Sequence, residues 1–103
     1  MRFYILIFLL TPFFAFSQIH PGIMDSAKKI CSNENECTTI IALELDGSYH
    51  DGSVFRNNKV PLELALKDKE DKLSNLCVNA PDQNLCYYYK HELMKEFYLG
   101  FKG

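Results

Sequence analysis

Positive charge is scarce in this 103-residue chain: 11 Lys and Arg stand against 13 Asp and Glu, for a formal net charge of −2. Nucleic-acid binding leans on clustered Lys and Arg that displace phosphate counterions, and no such cluster occurs. No basic amphipathic stretch of the kind that lies on a membrane surface is present either. The chain has no Gly-x-Ser-x-Gly, no His-Glu-x-x-His and no glycine-rich phosphate loop, so the common hydrolase, zinc-protease and nucleotide signatures are excluded. It also has no Asn-x-Ser/Thr glycosylation site.

Long apolar runs are missing beyond the first residues. The chain opens MRFYILIFLLTPFFAFSQ, in which Arg2 precedes an apolar stretch over residues 3–16 and Ala15-Phe16-Ser17 sets small residues at the −3 and −1 positions of a cleavage site. The stretch is short against the roughly 20 residues that span a bilayer, and Pro12 interrupts it. This pattern predicts a signal peptide at 1–17, a single domain at 18–103, and a periplasmic or extracellular product with no stable membrane anchor. Cleavage after Ser17 would leave Gln18-Ile19-His20 at the new terminus. A histidine in third place can wrap Cu(II) or Ni(II) with backbone nitrogens, but cyclisation of the glutamine removes the amine, and no metal or other cofactor is expected.

A domain this small buries a modest share of its surface, and exported domains of this size commonly add disulfides. All four cysteines, Cys31, Cys37, Cys77 and Cys86, fall beyond residue 17. Their intervals do not fit the short Cys-x(2–4)-Cys knuckle of a zinc site, so two disulfides are expected. Three pairings exist. Chain entropy favours the nested pairing Cys31–Cys86 and Cys37–Cys77, at about 4 kcal/mol each, over about 2.5 kcal/mol each for the local pairs. Local geometry favours Cys31–Cys37 and Cys77–Cys86, because each pair flanks a short polar loop between helical segments, and geometry is given more weight.

Apolar spacing predicts an all-α fold, a small disulfide-stapled bundle of about four helices. Ile23, Ala27, Ile30 and Cys31 share one helical face, as do Cys86, Tyr89, Leu93, Phe97 and Phe101 in a helix ending near Gly100. Residues 37–47 mix strand-favouring Thr and Ile with helix-favouring Ala, Leu and Glu, and are assigned to a helix stopped by Gly47. Residues 46–59, with two Asp-Gly pairs and several Ser and Asn, read as the longest irregular stretch. Residues 60–77 read as a helix with Pro61 in its first turn, a stripe of Leu62, Leu66, Leu73, Leu76 and Cys77, and ion pairs Lys67/Asp71 and Asp68/Lys72. The alternation of Val60, Leu62, Leu64 and Leu66 leaves a short strand as an alternative.

No catalytic constellation assembles from this pattern. Cys86 and His91 are five residues apart and point to different sides of a helix, and His50-Asp51 sits in ordinary turn composition, so the chain is not expected to be an enzyme. An enzyme reading would rest on His50, Asp51 or His91. The aromatics point to a protein partner instead. Consecutive Tyr87, Tyr88 and Tyr89 are turned about 100° apart on a helix, so only Tyr89 can join the inner stripe. Tyr87, Tyr88, His91 and Tyr98, with Tyr49 and His50 of the polar stretch, form the candidate partner-binding set.

The segment LSNLCVNAPDQNLCYYYKHELMKEF, with AKKICSNENECTTIIALELDG as a second match, resembles small periplasmic immunity proteins that neutralise cell-wall amidase effectors of type VI secretion. The resemblance covers about a third of residues 18–103 and lacks the glycine and aspartate expected after the aromatic helix begins. It implies an immunity protein or inhibitor acting by steric occlusion on a secreted hydrolase or amidase effector. A structural or self-associating envelope component is the alternative.

Overall fold

The computed structural model describes residues 21–103 and forms an all-α bundle: α1 (Pro21–Cys31), α2 (Asn35–Asn57), α3 (Leu62–Lys72) and α4 (Gln83–Lys102). Among the described residues there is no strand, so the strand alternative at Val60–Leu66 is not realised. The expected signal peptide and the Gln18-Ile19-His20 terminus lie outside the described residues.

The α1 stripe does what its spacing predicts. Ile23 and Ala27 are fully buried and Cys31 nearly so, while Lys28 and Lys29 occupy the last turn, where cations suit the helix dipole. The chain then reverses through Ser32 and Asn33, both in the left-handed region at φ 51° and 65°. The Asn33 amide donates back to the Lys28 carbonyl at 3.0 Å, closing the helix end. The Cys31–Cys37 disulfide ties the corner, with its Cα atoms 5.6 Å apart.

The main departure from expectation is α2. It does not stop at Gly47 but runs through the Asp-Gly-rich stretch to Asn57. Each mid-helix glycine costs about 1 kcal/mol relative to alanine, so a local reading ends the helix there. Tertiary contact offsets that cost. A Cβ on Gly52 would lie 2.0 Å from the Phe97 carbonyl oxygen, and one on Gly100 would lie 1.8 Å from the Tyr49 carbonyl oxygen. Two glycines thus let the backbones of α2 and α4 touch, and these two helices share the largest contact in the bundle. Ser53 Oγ donates to the Gly100 carbonyl at 3.1 Å, and Arg56 Nη1 reaches the same oxygen at 3.4 Å.

The order of contacts fixes the topology. Tyr89 meets Glu44, Leu45 clusters with Leu93, and Ser53 meets Gly100, so α2 and α4 run parallel. On α1, Ser26 meets Glu92 while Lys29 lies over Tyr88, so α1 runs antiparallel to both. Residues 58–82 carry the chain back. Their helical part, α3, lies along the later halves of α2 and α4, with Lys69 Nζ 5.7 Å from the Phe97 ring centre and Lys72 Nζ 5.8 Å from that of Phe55.

The expected helix over 60–77 is shorter than predicted. It begins at Leu62, with Pro61 as the residue preceding it, and closes at Lys72, after which turns continue to Asn79. Ala65, outside the predicted stripe, is its fully buried residue, whereas Leu76 is exposed. Asp68 and Lys72 pair at 2.9 Å, but Lys67 and Asp71 form no ion pair within 4 Å. The Asp68 carboxylate, by hydrogen bond and charge, raises the Lys72 ammonium above the ordinary lysine value. This exposed pair therefore persists through neutral pH and weakens as pH climbs through that raised value.

The hydrophobic centre consists of Ile23 and Ala27 of α1, Ala42 and Leu45 of α2 and Leu93 of α4, flanked by Met24, Ile41, Leu73 and Tyr89. Phe97 is fully buried beside it, edge-on to Phe55 at 5.5 Å between ring centres.

Candidate partner-binding surface

The second disulfide, Cys77–Cys86, joins the post-α3 turns to the first turn of α4, again with Cα atoms 5.6 Å apart. All four cysteines are therefore paired locally. Asp82 caps α4, its carboxylate accepting the Leu85 amide at 3.0 Å. Gln83 Nε2 donates to the carbonyls of Cys77 at 2.8 Å and Ala80 at 3.0 Å, locking the turn beneath the disulfide. Ile30, Ala80, Pro81, Leu85, Cys86 and Tyr89 surround an open apolar cavity of about 330 Å³ beside this corner.

From this fixed start, the 3.6-residue repeat sorts the aromatics of α4. Tyr87 is 57 % exposed and Tyr98 38 %, with exposed His91 between them on the same outward face. Lys102 Nζ lies 5.4 Å from the centre of the Tyr98 ring. Tyr88 is half-buried and turned toward α1: its hydroxyl donates to Glu92 at 3.3 Å, and Lys29 Nζ sits 5.0 Å from its ring centre. Tyr89 belongs to the inner stripe, as its spacing predicts, and its hydroxyl donates to Glu44 of α2. The remaining candidates lie on α2. Tyr49 is half-buried, with its backbone against Gly100 and its ring edge-on to His50 at 6.0 Å. His50 is exposed and pairs with Asp46 at 3.3 Å. The six candidates therefore separate: Tyr87, His91 and Tyr98 share one face, Tyr88 turns inward, and Tyr49 and His50 belong to another helix.

Sequence reasoning missed two buried carboxylates. Glu92 and Glu96 are almost fully buried on α4. Ser26 Oγ of α1 donates to Glu92 Oε1 at 2.5 Å, and Lys95 approaches its other oxygen at 3.9 Å. Both adjoin the Leu93 and Phe97 stripe in sequence, but charged residues are so rarely buried that this position alone does not assign them to the inside. Of the residues an enzyme reading would use, His50 pairs with Asp46, Asp51 pairs with Lys69 at 3.4 Å, and His91 stands exposed on α4. Among the described residues no group of three His, Cys, Asp or Glu could hold a metal ion.

The fold and surface define a small, doubly disulfide-bonded helical protein that displays an aromatic face and two exposed histidines. A family model matches residues 1–103, the whole sequence, and the chain belongs to the valyl-tRNA ligase modifier family. No curated protein and no solved structure matches it.

This membership corrects several expectations. The likeness to periplasmic immunity proteins rested on a cysteine–loop–cysteine layout, which any two helices stapled at a corner produce, whereas the family match extends over every residue. The immunity or inhibitor function, and a secreted hydrolase or amidase effector as its target, are overturned with it. So is the periplasmic or extracellular location, because a ligase that charges tRNA works where protein is synthesised. The structural or envelope alternative has no support from the family. A protein partner remains, since the family is described by the protein it modifies. No helix among the described residues is long and apolar enough to cross a membrane.

Proposed function

We propose that this protein binds a valyl-tRNA ligase in the cytoplasm and modifies that enzyme's behaviour as a bound protein ligand, with no chemistry of its own. The observation that carries this reading is the family match over the full chain. The described residues support binding over catalysis: their histidines and carboxylates are spread over separate elements, with His50 paired to Asp46 and Asp51 to Lys69 at the surface and Glu92 bonded by Ser26 inside. The outward face of α4, with Tyr87, His91 and Tyr98, is the first contact surface, because tyrosine contributes large contact area at little cost in side-chain entropy.

The test is to mix the purified chain with purified valyl-tRNA ligase and follow three properties: co-elution, the mass of the ligase, and its aminoacylation kinetics. A stable complex, altered kinetics and an unchanged ligase mass are expected. A ligase whose mass shifts, and stays shifted once this chain is removed, would mean covalent modification and overturn the reading. Within the complex, Tyr87→Ala combined with Tyr98→Ala is expected to weaken binding by about 2 kcal/mol or more, as truncation of interface tyrosines does.

A further inference from the structure

Three apolar side chains of α2 are left about half exposed by the described bundle. Ile40, Leu43 and Val54 are 52 %, 52 % and 53 % exposed. With Gly47 and His50 they fall at intervals of three, four, three and four residues, the spacing of a helix-pairing seam. This strip points away from the face of α2 that carries buried Leu45, Ser48 and Gly52.

The central position is the informative one. Gly52 and Gly100 are explained by the backbone contact between α2 and α4, but a Cβ on Gly47 would meet nothing within 4 Å. A glycine in the middle of a 23-residue helix weakens it and, here, relieves no crowding among the described residues. The open space over it would admit a close neighbour.

Charge selects the neighbour. Apart from His50, every ionisable side chain on the outward half of α2 is acidic: Glu36, Glu44, Asp46 and Asp51. The cation of α2, Arg56, lies on the opposite side of the helix, where it reaches the Gly100 carbonyl at 3.4 Å, and Lys69 of α3 pairs with Asp51 at 3.4 Å. A second copy of this chain would set acidic rim against acidic rim, which costs association energy.

We infer that the Ile40–Leu43–Gly47–Val54 strip of α2 is a docking seam for an amphipathic helix of the valyl-tRNA ligase, one whose apolar stripe is flanked by Lys and Arg and which packs closely over Gly47. The inference rests on the proposed partnership with the ligase and adds the place and the chemistry of contact.

The experiment titrates purified valyl-tRNA ligase, from the cell in which this chain is made, against the full chain and against Gly47→Leu, Glu36→Lys and Val54→Asp. Gly47→Leu adds helix propensity at an open position, so circular dichroism should show helicity at least equal to wild type. All three variants are expected to bind at least about tenfold more weakly, and wild-type binding is expected to weaken with added salt. If Gly47→Leu and Val54→Asp bind like wild type, the seam is wrong while the partnership stands. If wild type itself does not bind the ligase, the partnership and the seam both fall. If wild type alone sediments as a dimer that Gly47→Leu dissociates, the occupant is a second copy and this assignment is overturned.

Discussion

The three glycines of the two long helices have nearly the same intrinsic cost and very different consequences. At Gly52 and Gly100 an added methyl would meet backbone, which cannot rotate aside, so α2 and α4 would have to separate. Gly52→Ala and Gly100→Ala are each expected to destabilise by about 2–3 kcal/mol in urea denaturation, the range for overpacking a close contact. Gly47→Ala should instead stabilise by up to about 1 kcal/mol, since its Cβ enters open space and improves the helix. Nothing in the local sequence distinguishes Gly47 from Gly52, because each follows an aspartate and precedes a serine. A reading from propensity therefore makes both into turn residues. Glu92 shows the same limit from the other side. Its burial is legible only once Ser26 and Tyr88 are known to bond it. Glu92→Ala removes that acceptor from a buried site, and a loss of about 1–3 kcal/mol is expected, with Glu92→Gln retaining more stability because an acceptor remains.

At the scale of elements, legibility followed the strength of the apolar stripe. α1 and α4 present Ile23/Ala27/Cys31 and Leu93/Phe97 at helical spacing, and both helices lie where those stripes predict. Local geometry favours the corner disulfides over the nested pairs, and both corner disulfides form. By contrast, α3 ends at Lys72 although apolar spacing continues to Cys77. The backbone after Leu73 turns repeatedly, leaving Leu76 outside while Cys77 is drawn to Cys86. The two staples give an element-scale prediction. Cys31→Ser with Cys37→Ser, or Cys77→Ser with Cys86→Ser, should each lower stability by about 2.5 kcal/mol through the freed unfolded chain. Far-UV circular dichroism below the unfolding transition should change little, because the four helices extend well beyond both corners.

At the scale of the molecule, the four helices of the described residues, with α2 and α4 parallel, place two surfaces on the outside: the α4 face of Tyr87, His91 and Tyr98, and the outer strip of α2. Changing Tyr87 and Tyr98 to alanine should leave the melting temperature within about 2 °C of wild type, since isolated exposed side chains contribute little to folding. Ligase binding should fall in the same variant, and that separation of stability from binding is the measurement to make.

The sequence by itself determined the helical class, the inner stripes of α1 and α4, and a cysteine layout suited to corner staples. These depend on neighbours three or four residues away, which the chain carries with it. Tertiary structure alone decided that α2 continues through its glycines, that Tyr87 faces outward while Tyr88 bonds Glu92, and that two carboxylates are buried. The glycines and the carboxylate depend on distant residues being brought alongside, as Ser26 is to Glu92 and Tyr49 to Gly100, and Tyr88 follows Glu92 inward. Local propensity contains no record of such an approach, because the energy that settles it is released only when the helices meet.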